Sequence, residues 1–235
     1  MLHPRRQPVA IRTTVVIPAT VRHEQHLPEL ITALERQTVR PDEVAISISE
    51  CLAPSQTVQR RVRASPLRIR LRTDRATAYA GRNRNLAADA SSGNLLVYQD
   101  ADDLPHPQRV EIIAHLFGRY EVHHLMHHYQ HALAPHVWRA WETHRFNMNA
   151  AGSTAYYQEY GSDCAHPFHN GNNATSRVLF VEARWPEHLR RGQDVAYNRS
   201  VISTRFASRM ARLPWQLVSY RQYLSSLAYA SRQAG

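Results

Sequence analysis

The sequence predicts an α/β domain: a mostly parallel sheet flanked by helices, followed by a less regular second half. Three observations predict it. Short apolar runs alternate with segments of helical periodicity between Thr13 and Tyr120. The strand-like runs are bounded by Pro, Gly and Asp, and the first is rich in β-branched residues. A hydrophobic content of 43 % in 235 residues suffices for one buried core.

The elements follow in order. Thr13 to Ile17 is β-branched and stops at Pro18, which reads as a buried strand. Leu27, Leu30, Ile31 and Leu34 recur at helical spacing, with an end near Thr38. Pro41-Asp42 is a turn into a second strand, Glu43 to Ile48. Arg60 to Arg63 falls in a weak helix, and Leu67, Ile69 and Leu71 alternate with arginines in a half-exposed third strand. Leu86, Ala87 and Ala90 mark a helix closed by Ser91-Ser92-Gly93. Leu95 to Tyr98 is a fourth strand that runs into Asp100-Ala101-Asp102-Asp103. Pro107 precedes a helix carrying Val110, Ile113, Leu116 and Phe117.

From Glu121 onward histidines, aromatics and asparagines are frequent and periodicity is poor. The domain is expected to span 1–203, with a helical tail over 204–235. Its regular half is 13–120 and its irregular half 121–203. His123, His124, His127, His128 and His131 are expected on a strand, partly exposed. On a helix, pairs four apart would share a face and suit Zn²⁺ or Ni²⁺, but no Cys or acidic partner completes such a site. The tail sets Arg205, Arg209 and Arg212 beside Phe206, Met210, Trp215 and Leu217. It reads as an amphipathic helix docked on the domain's own core. Peripheral contact with an anionic membrane is the competing expectation.

The formal net charge is +10, and every one of the 29 basic residues is arginine. That excess favours anionic partners such as phosphate esters. The arginines are scattered, not striped, and no nucleic-acid-binding motif is present, so no nucleic-acid partner is expected. Two distant cysteines, Cys51 and Cys164, make no disulfide framework. Met1 to Thr14 has charge but no apolar core, and no apolar run reaches membrane-spanning length. A cytoplasmic location follows as the expectation.

Three carboxylates within four residues at a strand end repel one another unless a cation or hydrogen bonds stabilise them. Hard divalent cations, Mn²⁺ or Mg²⁺, prefer such oxygens, usually beside substrate phosphates. A solvated turn with Asp102 or Asp103 capping the next helix is the alternative.

Several stretches, in this order and spacing, resemble the family 2-like glycosyltransferases of the GT-A fold. They are Thr14-Val15-Val16-Ile17-Pro18, Leu27-Pro28-Glu29-Leu30, Pro41-Asp42-Glu43-Val44 and Gly81-Arg82-Asn83-Arg84-Asn85. The most specific is Tyr98-Gln99-Asp100-Ala101-Asp102-Asp103, continued by His106-Pro107-Gln108-Arg109. It is similar to the family's DxD motif. The resemblance implies transfer of a sugar from a nucleotide-sugar donor, UDP by prior, to an unidentified glycan, lipid or protein acceptor. It implies Asp102 as the direct metal ligand, with Asp100 on the ribose or assisting the metal. Pro18, Thr20, Arg22, Glu50, Arg84 and Ala101 are then expected along the donor, with 121–203 as the acceptor half.

Gln193-Asp194 is similar to the family's Glu-Asp motif, which implies Asp194 as the general base of an inverting transfer. Gln193 stands where the family has Glu, one negative charge fewer. Without the resemblance, Asp194 reads as a helix cap after Gly192. His166-Pro167-Phe168-His169-Asn170-Gly171-Asn172-Asn173-Ala174 resembles the loop that shapes the family's sugar pocket, with His169 or His166 as a further metal ligand. The opening loop, Thr20-Val21, and Ile48-Ser49-Glu50 depart from the family pattern, which leaves the nucleotide open. Two other readings remain: a nucleotide-sugar binder without catalysis, for which Gln193 is the hint, and an arginine-rich nucleic-acid binder.

Overall fold

A computed structural model describes residues 4–131 and 170–221. Eight strands form one sheet in the order β3-β2-β1-β4-β7-β6-β8-β5. β1 (Thr13–Thr20), β2 (Glu43–Ser49), β3 (Ile69–Thr73) and β4 (Leu95–Tyr98) pair in parallel. Their crossovers carry α1 (Leu27–Glu35), α2 (Gln56–Ala64) and α3 (Ala80–Asp89). A short β5 (Leu104–Pro105) and α4 (Arg109–Arg119) follow. Beyond them come β6 (His124–His131), β7 (Asn173–Ser176), α5 (Arg177–Glu182), α6 (Gln193–Ile202) and β8 (Met210–Tyr220). β7 is antiparallel to β4 and β6, while β8 is parallel to β6 and antiparallel to β5. The sheet is therefore parallel in its first half and mixed in its second.

Alternation along the strands splits the core into two layers. Val15, Ile17, Val44, Ile46, Ile48, Leu95 and Val97 pack with residues of α1, α2 and α4. Val16, Ala45, Leu96 and Tyr98 face the other way, onto Ala87, Phe180, Trp185, Tyr197 and Val201. Strands covered on both faces read as continuous apolar runs, which is why β1, β2 and β4 stand out in the sequence. Ser55 caps α2 by accepting the Val58 N–H, and Ser176 caps α5 by accepting the Leu179 N–H. The three guanidinium nitrogens of Arg177 donate to Ala88, Ser91 and Gly93 carbonyls, satisfying the C-terminal end of α3.

Three expectations need correction. The stretch 210–220 is a strand, not part of a helical tail. Pro214 lies in its middle, where a helix interior would lose a hydrogen bond and clash. β8 accommodates that proline where its register against β6 slips, between the His127–Leu213 and His128–Gln216 pairs. The histidine run is a strand as expected, but His124 and His127 are fully buried because β6 lies inside the sheet. Neither Asp102 nor Asp103 caps α4, whose N-cap is Gln108. Among the described residues no helix is long and apolar enough to cross a membrane.

Candidate functional site

A cleft of about 230 Å³ opens at the C-terminal ends of β1 and β4. Ligands bind in this place in open parallel sheets. Pro18, His23, Ala80, Arg84, Asp100, Ala101, Asp102, Arg190, Gln193 and Tyr220 line it.

The acidic turn is built from the backbone outward. β4 ends when the Gln99 N–H donates to the Val16 carbonyl, at 3.0 Å. The buried Gln99 amide then donates to the Asp100 and Asp103 carbonyls, at 3.0 and 3.2 Å, which folds the chain into a turn. Gly171 presses against that turn: a Cβ there would lie 3.0 Å from the Asp100 nitrogen and 3.1 Å from its Cγ. A side chain there would force the turn to give by a few tenths of an ångström, so glycine suits the close approach.

Arg109 anchors the turn from below. Its guanidinium is fully buried and donates to Gln99 Oε1 (3.0 Å), to the Tyr98 and Gly171 carbonyls (2.7 and 2.6 Å), and to His127 Nε2 (3.0 Å). Because Nε2 accepts there, His127 carries its proton on Nδ1, which donates to the His128 carbonyl at 2.9 Å. Burial, then the Arg109 charge, hold His127 well below the ordinary histidine range. Burial also lowers Arg109 to about 9, while Asp100 and Asp103 act in the opposite direction.

Burial and then the Asp100 charge push Asp102 above the usual carboxylate range. The same two causes, with Asp102 added, push Asp103 further. Asp103 accepts the Arg221 N–H at 2.8 Å, so it ties β8 to the turn. Asp100 Oδ1 accepts Arg84 Nη2 at 2.5 Å. Arg84, expected along the donor, is only 1 % exposed. It stacks over Trp185 at 4.6 Å and donates to Gln193 Oε1 at 3.3 Å. Its charge orients Asp100 at the cleft wall.

The structure thus brings Pro18, Arg84, Asp100, Ala101 and Asp102 together. Thr20 lies in a small pocket beside the cleft with His23 and Asn83. Arg22 and Glu50 are exposed and line neither cavity. Glu50 has φ 60°, a left-handed backbone. Asp194 sits in the first turn of α6, next to cleft-lining Gln193, and its Oδ1 accepts the Val195 N–H at 2.9 Å. His169 and His166 lie outside the described residues. Asn83 and Asn85 are structural. Asn83 joins Ser47, Ser49 and the Ala19 carbonyl, and Asn85 holds the backbone of Trp185.

Sequence reasoning missed His23, Arg190 and Tyr220. His23 follows the expected opening loop by one residue. Its Nδ1 accepts the Thr20 N–H, which leaves the proton of the neutral ring on Nε2. Tyr220 reaches the cleft only because β8 is a strand. Burial, then the three nearby aspartates, raise its hydroxyl above the usual tyrosine range.

An acidic turn in a cleft at the ends of parallel strands, with an antiparallel extension beyond, defines a domain of the GT-A class. The chain belongs to glycosyl transferase family 2, whose model matches residues 14–175. It is similar in structure to S. aureus TarS 1-349 in complex with UDP-GlcNAc, with TM-score 0.66 and 14 % identity. That match covers 90 % of this chain and 58 % of TarS 1-349, so the chain spans little more than half of that relative. It is also similar to glucosyl-3-phosphoglycerate synthase from Mycobacterium tuberculosis in complex with Mn²⁺, uridine diphosphate and phosphoglyceric acid. There the TM-score is 0.61 and identity 17 %, over 95 % of this chain and 76 % of the synthase. No curated protein matches the sequence.

Proposed function

We propose that this chain is a metal-dependent glycosyltransferase that moves a sugar from a nucleotide-sugar donor, a UDP-sugar, to an acceptor hydroxyl with inversion. The observation that carries the reading is the pair Asp100 and Asp102, crowded at the end of β4 in the cleft. Family membership supports it, as do the UDP-GlcNAc of TarS and the UDP and Mn²⁺ of the synthase.

The donor set fits a hard divalent cation. Asp100 and Asp102 offer carboxylate oxygens whose mutual repulsion a cation relieves. Among the described residues no cluster of three His, Cys, Asp or Glu completes a cage. A cation that keeps positions for phosphate oxygens and water suits such an open pair. When bound, Mn²⁺ or Mg²⁺ supplies Lewis-acid stabilisation of the leaving diphosphate.

The remaining steps use this chain's own residues. Arg84 fixes Asp100, and Gln99 and Arg109 fix the turn that presents Asp102. Asp194 takes the proton of the acceptor hydroxyl as its oxygen bonds to the sugar's anomeric carbon and the bond to the diphosphate breaks. It sits in the first turn of α6, one residue from cleft-lining Gln193.

A thermal-shift panel of nucleotide sugars with and without Mn²⁺ tests the reading. A stabilisation by one nucleotide that Mn²⁺ strongly enhances is expected. Asp194→Ala should then lose turnover by about 100-fold or more while keeping donor binding. No response to any nucleotide, together with salt-sensitive binding of RNA or DNA, would overturn it.

A further inference from the structure

Residues 189–192 lead into α6, and the Gln193 amide ties two of their carbonyls down. Gln193 is 5 % exposed, and its amide works in two directions. Nε2 donates to the Leu189 carbonyl at 2.7 Å and the Arg190 carbonyl at 3.4 Å. Oε1 accepts Arg84 Nη1, whose sister nitrogen holds Asp100. Gly192, at φ 68°, allows the tight turn between the loop and the helix. The loop held this way carries Arg190 to the cleft, beside Asp100, Asp102 and His23. Asp100 is already paired with Arg84, and among the described residues no carboxylate forms an ion pair with Arg190.

We propose that Arg190 binds the diphosphate of the donor, and that Gln193 is the positioning residue that holds Arg190 over the cleft. The proposal rests on the nucleotide-sugar reading above and deepens it. An amide is required at 193 because it donates and accepts at once. A carboxylate there would set lone pairs against two backbone carbonyls. It would also draw Arg84 away from Asp100. Arg190 supplies a fixed positive charge and a planar fork suited to phosphate oxygens. Binding of a nucleoside diphosphate therefore keeps a component that does not depend on the divalent cation. Gln193, the departure that hinted at a binder without catalysis, becomes part of donor recognition.

Isothermal titration of the full chain with UDP, GDP, CDP and ADP tests this, in Mn²⁺ and in EDTA. The wild type is expected to bind one of them tightly in Mn²⁺ and weakly but measurably in EDTA. Arg190→Ala should weaken that diphosphate about tenfold in Mn²⁺ and abolish the EDTA signal, with the matching nucleoside unaffected. Arg190→Lys should recover part of the loss. Gln193→Glu, although it installs the residue the family carries, should behave like Arg190→Ala. It should raise the donor KM more than it lowers kcat.

An Arg190→Ala protein that binds the diphosphate as tightly as wild type overturns the phosphate contact. A folded Gln193→Glu protein with wild-type affinity overturns the positioning role. If Gln193→Glu fails to fold, the Arg190 pair still decides the contact, and Gln193→Met, which keeps the volume without the donor, decides the positioning. A wild type that binds none of the four diphosphates overturns the donor reading itself, and this inference with it.

Discussion

The two halves of the sheet are both buried in their central strands but differ in how much polar material fills their interiors. In β1, β2 and β4 the interior is dominated by Val15, Val16, Ile17, Val44, Ile46, Ile48, Leu95, Leu96 and Val97, with Thr13, Thr14, Glu43, Ser47 and Ser49 as its buried polar members. In β6, β7 and β8 apolar residues such as Leu125, Met126, Leu213 and Val218 share the interior with His124, His127, Asn173, Thr175, Ser176 and Ser219. Apolar burial is non-directional and tolerates small shifts. Buried polar groups must each find a partner, so they fix positions at a cost in stability. The polar half lies under the acidic turn, and Arg109 joins the two halves through Tyr98, His127 and Gly171. The difference teaches that the apolar packing tolerates small shifts, while the polar network beneath the acidic turn fixes positions.

The most severe way to sharpen this contrast is Arg109→Ala. It strips donors from two backbone carbonyls, Gln99 and His127 at once. The expected loss is about 3–5 kcal/mol, measured by urea unfolding. Ile46→Val in the apolar half should cost only about 1 kcal/mol. Equal losses would break the contrast.

Acid should act next, and on the polar half. Burial lowers His124 from 6.5 to about 4, with Asn198 acting in the opposite direction, and lowers His127 further. Both folded values lie below the unfolded one, so the unfolded chain takes up protons first as pH falls. The stability they contribute is complete above about pH 6.5 and is lost as pH falls toward 4. His124 alone accounts for on the order of 3 kcal/mol. Urea midpoints at pH 7 and pH 5 measure this, and His124→Gln should flatten the slope.

The smallest effect is expected at Gly192. Its φ is 68° and a Cβ would meet nothing within 4 Å, so Gly192→Ala adds only left-handed strain of about 1 kcal/mol. A much larger loss would mean that the 189–192 loop bears more of the second half than its contacts indicate.

The same contrast explains what could be read in the sequence. The β-branched run at Thr13 to Ile17 and the helical spacing of Leu27 to Leu34 are local patterns, and both elements formed there, although β1 runs through Pro18 to Thr20 and α1 ends at Glu35, short of Thr38. The acidic turn was legible because three carboxylates follow an apolar run. β8 was not, because its partner β6 lies more than 80 residues earlier and Pro214 masks the alternation. The burial of His124 and His127 was hidden for the same reason: histidine is unremarkable in sequence, and only the strand order encloses it. His23, Arg190 and Tyr220 come from three separate segments, and only the folded sheet makes them neighbours. Arg84 was found, but its ion pair with Asp100 was not. A buried arginine between Asp100 and Gln193 looks the same in sequence as one facing a phosphate.

The central claim is that Asp100 and Asp102 remain crowded because a divalent cation and a diphosphate complete them. Asp102→Asn tests it most directly, by melting temperature and calorimetry with UDP and Mn²⁺. Because burial and Asp100 raise Asp102 above its unfolded value, its ionised form opposes folding at neutral pH. Without metal, the variant should melt at or above the wild-type temperature, and it should lose the Mn²⁺-dependent gain on adding UDP. An Asp102→Asn protein that melts lower without metal and still binds UDP with Mn²⁺ as tightly as wild type would contradict the account.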